Sequence, residues 1–127
     1  MRFTVLGDTQ GLSKLDQLVV DMNAYNSEFF ILPGDLVNTG GSGSWDSWIA
    51  KANNFNSEQY MVPGNHDLPV GGNALWQSKF SWLPDSQVVD GKQGIDQMDY
   101  FFDLGDTRFI SVTTDSQANG TPTPTLV

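Results

Sequence analysis

The chain has 127 residues, 39% of them hydrophobic, which is the size and apolar content of one globular domain with its own core. Six Lys and Arg against 15 Asp and Glu leave a formal charge of -9, which excludes nucleic-acid binding by a basic surface. The absence of cysteine excludes disulfides, thiolate metal sites and a cysteine nucleophile, and no apolar run is long enough to span a membrane.

Met1-Arg2 leads straight into a strand pattern rather than a signal peptide, so a soluble, cytoplasmic protein without a membrane partner is expected. Residues 2–6 read as a short parallel strand, buried rather than half-exposed, and Gly7-Asp8-Thr9-Gln10 follows it. From Leu12 the residues Leu15, Leu18, Val19, Met22 and Tyr25 recur at helical spacing, with Ser13 and Asp16 placed as an N-cap and its box partner. Asn23, Asn26 and Ser27 end that helix, and residues 28–32 form a second strand closed by Pro33-Gly34. Strand, helix and strand of this length make a right-handed βαβ unit, which brings Asp8 and Asp35 to one edge of a parallel sheet.

Residues 38–44 read as a flexible Gly/Ser loop, and Ser44 as the cap of a second helix reaching about residue 54. Trp45, Trp48, Ile49 and Ala52 form its apolar face, and the Trp pair is read as core packing. A third strand at 59–62 ends in Pro63 and delivers Asn65-His66-Asp67, which contains the single histidine, to the same edge. A third helix is expected at 73–82 and a brief strand at Val88-Val89. A hairpin is expected from 98–104 and 108–113 around Gly105-Asp106. The fold class is therefore α/β: a βαβαβ parallel sheet followed by a β-hairpin. The domain is expected over 1–116 and a Pro/Thr-rich tail over 117–127, disordered unless a partner orders it.

Taken together, Gly-Asp-Thr-Gln at 7–10, Gly-Asp-Leu-Val-Asn at 34–38 and Gly-Asn-His-Asp at 64–67 resemble the first three motifs of the calcineurin-like metallophosphoesterases, a family that includes the purple acid phosphatases. The resemblance covers roughly the first half of such an α/β sandwich. It implies hydrolysis of a phosphomonoester or phosphodiester by metal-activated water. It also implies divalent metal ions (Mn, Mg, Fe or Zn) as cofactors and a phosphorylated small molecule or phosphoester as substrate. By the same resemblance Asp8 ligates a first metal, Asp35 bridges two, and Asn65 ligates the second. His66 contacts substrate and protonates the leaving oxygen. Asp67, grouped with His66 among the catalytic candidates, orients the turn or the imidazole through hydrogen bonds.

Departures from the pattern bear on how many metals the chain holds. Gln10 stands where many members have histidine, and Asn38 stands where purple acid phosphatases have a ligand tyrosine. The family's two later motifs add histidine ligands, and this sequence has no second histidine. With Asp8, Asp35, Asn65 and the weak oxygen donor Gln10, one hard cation such as Mg²⁺ or Mn²⁺ is expected rather than a tight pair. An apolar face around Phe101, Phe102, Phe109 and Ile110 is expected to lack cover, which calls for a homodimer or a complementing chain. Two further readings stand beside the enzyme: a catalytically inactive relative acting as a binding or interaction protein, and an incomplete piece of a longer phosphoesterase. There is no Gly-Lys-Ser/Thr phosphate loop and no Gly-x-Gly-x-x-Gly.

Overall fold

Phe29-Phe30-Ile31-Leu32 is a wholly apolar strand, and the fold is built to cover it on both faces. A computed structural model describes residues 1–10, 12–85, 88–89, 92–93 and 96–113. The tail at 117–127 and the domain boundary at 116 lie outside these residues. The strands β1 (Phe3–Val5), β2 (Phe29–Leu32) and β3 (Glu58–Met61) form one parallel sheet in the order β1-β2-β3, with β2 in the centre. Phe3 pairs with Phe29 and Leu32 with Met61, so all three strands run toward one edge. Helix α1 (Leu15–Ala24) connects the first pair of strands and α2 (Ser42–Ala52) the second. Helix α3 (Gly72–Lys79) follows, then the short pair β4 (Val88–Val89) and β5 (Lys92–Gln93), and the hairpin β6 (Tyr100–Leu104) with β7 (Thr107–Ser111). The expected α/β class, with its parallel sheet and separate hairpin, is the observed one.

Alternation along β2 sorts its side chains into two layers. Phe30 and Leu32 join the main core with Leu15, Val19 and Met22 of α1 and Trp45 and Trp48 of α2, all buried. Phe29 faces the other way, into the hairpin, where its ring meets Phe102 at 5.7 Å and Phe109 at 5.1 Å edge-on. Tyr60 of β3 stacks on Phe102 at 3.5 Å, and Tyr100 Oη donates to the Met61 carbonyl at 2.8 Å. Burial of such rings contributes on the order of 2 kcal/mol each before the cost of ordering them.

Several local expectations are corrected. Strand β1 is not buried: it lies at the margin of the sheet, and Phe3 and Val5 remain 41% and 55% exposed. Ser13 is not an N-cap. A 3₁₀ turn over Leu12–Lys14 leads into α1, Lys14 takes the cap position without a side-chain bond, and Asp16 pairs with Lys51 of α2 instead. Helix α2 begins two residues before Ser44, behind Gly41, and the Ser44 hydroxyl lies 3.3 Å from that of Thr39. The loop before it is packed rather than loose, because Gly40 is buried and a Cβ there would meet the Asp67 carbonyl oxygen at 1.7 Å. Helix α3 is displaced to Gly72–Lys79. The hairpin's Phe102 and Phe109 are half-buried, with their rings against Phe29 of β2 and, for Phe102, Tyr60 of β3, so the chain covers this face in part. The Arg108 guanidinium lies 3.8 Å over the Phe101 ring, and Ile110 stays 61% exposed. The Trp45 and Trp48 pair is core, as expected.

Candidate functional site

Turns leave the carboxyl ends of β1, β2 and β3 side by side, and the middle one is flanked by the other two because β2 is the central strand. In the first turn Asp8 sits at φ 57°, and in the second Gly34 and Asp35 sit at φ 91° and 52°. A left-handed conformation costs a non-glycine residue about 1 kcal/mol, and Asp is among the few side chains that tolerate it. Two of the four described non-glycine residues with positive φ are thus the aspartates that the motifs single out. Asp8 N–H donates to the Gly34 carbonyl at 3.2 Å, which locks the first turn to the second.

Gly64 makes the approach of the third turn possible. A Cβ on Gly64 would stand 2.2 Å from Asp35 Oδ1, and one on Gly34 would stand 2.6 Å from the Gly64 nitrogen. In that space Asp35 Oδ1 accepts the His66 backbone N–H at 3.1 Å. Asn65 is exposed at the crest of the turn, and His66 is half-buried with Nδ1 at 3.1 Å from the Asn38 carbonyl oxygen. A carbonyl only accepts, so Nδ1 carries a hydrogen and Nε2 is the nitrogen left to exchange a proton. Asn38 therefore meets the imidazole through its main chain, a role independent of its side chain.

Asp67 is 1% exposed, and its oxygens serve the backbone rather than the imidazole. Oδ1 accepts from Leu36 N–H at 3.0 Å and Val37 N–H at 3.1 Å, and Oδ2 accepts from Gly64 N–H at 2.8 Å. One carboxylate thereby ties the second turn to the third. Burial pushes its pKa up to about 6, opposed by the three amide donors and reinforced by the Asp35 charge. Two participants have no role assigned by the motif reading. Thr9, 4% exposed, donates its hydroxyl to the Leu36 carbonyl at 3.1 Å and accepts the Trp48 indole N–H at 3.0 Å. Nothing in the periodicity of α2 distinguishes Trp48 from its neighbour Trp45.

Asp8, Asp35, Asn65 and His66 thus emerge at one sheet edge, with Gln10 half-buried at the end of the first turn. Among the described residues no group of three or more His, Cys, Asp or Glu side chains could by itself hold a metal ion. The donor set consists of two carboxylates and an amide oxygen, and the missing Cβ of Gly64 leaves the Asp35 carboxylate its room. By donor chemistry alone, oxygen ligands of this kind are those a hard cation takes. A cleft of about 250 Å³ between the sheet and the hairpin runs beside Pro33 and Val62, the residues that introduce the second and third turns.

An α/β domain that gathers carboxylates, an amide and an imidazole at the carboxyl edge of a parallel sheet places polar groups where open α/β sheets bind their ligands. The family model for calcineurin-like phosphoesterases matches residues 1–126, and the chain belongs to that family. No curated protein matches the sequence. The family generally uses divalent metals for phosphoester hydrolysis, and no helix among the described residues is long and apolar enough to cross a membrane.

Proposed function

We propose that this protein hydrolyses a phosphomonoester or phosphodiester at the edge formed by the three turns, with Asp8, Asp35 and Asn65 holding one hard divalent cation, Mg²⁺ or Mn²⁺. The observation that carries this reading is the pair of left-handed aspartates, Asp8 and Asp35, linked turn to turn at the ends of adjacent parallel strands. Conformational strain kept at two acidic residues suits a binding function better than a structural one. The bound cation would supply charge neutralisation at the phosphoryl oxygens and lower the pKa of an attacking water.

The chain's own groups account for the rest. Asp35 holds the third turn through the His66 amide, and the Asn38 carbonyl fixes the ring through Nδ1–H, so that Nε2 is presented for proton transfer. As the water oxygen bonds to phosphorus and the ester P–O bond breaks, His66 Nε2–H gives its proton to the departing alkoxide. The attacking water gives up one proton to solvent and His66 regains one from it, so a monoester yields an alcohol and inorganic phosphate, and a diester yields an alcohol and a phosphomonoester. Asp67 touches neither substrate nor the imidazole in this scheme and acts as a clamp.

Hydrolysis of p-nitrophenyl phosphate and its bis ester with added Mn²⁺ tests the reading, alongside Asp35→Ala and His66→Ala. Metal-dependent turnover lost in both variants is the expected result. A folded wild-type protein with no turnover at any Mn²⁺ concentration would sink it. That outcome favours a second reading, a phosphoester-binding relative without turnover, which is motivated by the single imidazole in 127 residues.

A further inference from the structure

We propose that Thr9 and Trp48 are positioning residues for the metal-facing aspartates, acting through a buried hydrogen-bonded path that crosses all three turns. The proposal rests on the phosphoesterase reading above and adds to it the part of the molecule that holds the site in shape. The path starts in α2. Trp48 Nε1–H donates to Thr9 Oγ1 at 3.0 Å, and Thr9 Oγ1–H donates to the Leu36 carbonyl at 3.1 Å. On the other side of Leu36, its N–H donates to Asp67 Oδ1 at 3.0 Å, and Gly64 N–H reaches Asp67 Oδ2 at 2.8 Å. Trp48, Thr9, Leu36 and Asp67 are each no more than 4% exposed, so water cannot replace a lost partner without opening the core.

The direction of each bond follows from chemistry. An indole N–H only donates and a carbonyl only accepts, so the hydroxyl between them must accept from one and donate to the other. Thr9 is therefore a link that only a hydroxyl residue provides in the same geometry. Its position in the chain gives the link a purpose. Thr9 follows Asp8, and the Leu36 peptide follows Asp35, so fixing Thr9 on Leu36 fixes the two left-handed aspartates relative to each other. The second tie between those turns, Asp8 N–H to the Gly34 carbonyl at 3.2 Å, lies two residues back along the second turn and leaves the rotation of the first turn to be set by Thr9.

A comparison within the same helix separates this role from general packing. Trp45 is as buried as Trp48, yet among the described residues its Nε1 has no hydrogen-bond partner. Both rings fill the core, and of the two, Trp48 is the one whose described hydrogen bond reaches the site.

The test uses the full chain and three variants, Thr9→Val, Thr9→Ser and Trp48→Phe. Amide exchange at Asp8 is measured by NMR in chelator. The reference is the Glu28 amide, which donates to the Arg2 carbonyl at 2.8 Å at the far edge of the same sheet. Mn²⁺ affinity is read separately from the paramagnetic resonance of the free ion. Thr9→Val is expected to speed exchange at Asp8 roughly tenfold more than at Glu28 and to weaken Mn²⁺ binding roughly tenfold, about the effect of one buried hydrogen bond. Thr9→Ser restores both, and Trp48→Phe shows the same pattern at smaller size. Equal acceleration at Asp8 and Glu28 would mean that the path only adds global stability, and would overturn the proposal. If Thr9→Val does not fold, Trp48→Phe decides by the same ratio. A wild type that binds no Mn²⁺ refutes the phosphoesterase reading, while the exchange ratio still decides the positioning role.

Discussion

Replacing Asp67 by Asn asks how much a buried carboxylate costs the fold, and the answer depends on pH in a way the structure specifies. Burial holds the folded-state pKa at about 6, above the ordinary 3.8, so between these values the folded protein keeps a proton that the unfolded chain has released. Stability from this group is therefore complete below pH 3.8 and is lost as pH rises through about 6. At 1.36 kcal/mol per pKa unit the full loss is about 3 kcal/mol, of which about 2 kcal/mol falls between pH 4.5 and 7. The amide introduced by D67N carries no titratable proton, so the stability difference between wild type and this variant isolates the effect from every other acid in the chain. Urea unfolding in chelator, followed by fluorescence of the buried Trp45, Trp48 and Trp76, measures it at each pH. With a urea dependence of about 1.5 kcal/mol per molar, the wild-type midpoint should fall by about 1 M relative to D67N from pH 4.5 to 7. A difference that stays flat over this range would refute the assignment of Asp67 as a desolvated carboxyl.

Gly64→Ala should displace Asp35, because the added Cβ would stand 2.2 Å from its Oδ1 and 2.6 Å from its backbone nitrogen. The expected cost is about 2–4 kcal/mol in a thermal or urea melt, with Mn²⁺ affinity reduced at least tenfold. Asp8→Gly should do the opposite to the fold. It releases a side chain held at φ 57°, leaving stability equal or higher by up to about 1 kcal/mol while Mn²⁺ binding and any metal-dependent turnover are lost. A substantially destabilised Asp8→Gly would show that the residue serves the fold rather than a ligand.

The sheet, its order of helices and the edge at which Asp8, Asp35 and Asn65-His66 emerge were legible because β1 and β2 are mostly apolar and all three strands are closed by Gly or Pro. Motif spacing carried the family. Helix starts were misplaced where tertiary partners outweigh local capping: Asp16 answers Lys51 across to α2 rather than its own helix terminus. The burial of β1 was overestimated because composition does not say which strand ends up at the margin of a sheet. The partial cover over Phe102 and Phe109 was missed for a related reason. Alternation in β6 and β7 says that one face is apolar, and only the fold says that Phe29 and Tyr60 wait beneath it. The connections of Asp67, Thr9 and Trp48 could not be assigned from sequence, since they run largely through hydrogen bonds to peptide groups, and peptide groups are the same at every position.

The margin position of β1 has a consequence for handling the protein. Among the described residues, the segment bearing Phe3 and Val5 at 41% and 55% exposure is a sheet edge, the kind of element on which a second strand can add. At neutral pH the net charge of -9 keeps copies apart, and that repulsion vanishes near the isoelectric point of about 4.1. The Asp67 contribution to the fold and the colloidal stability therefore pull in opposite directions on acidification: this carboxyl is relieved of its buried charge as molecules lose the charge that keeps them in suspension. Acidic titrations therefore belong at low protein concentration, where loss of net charge is least able to bring copies together.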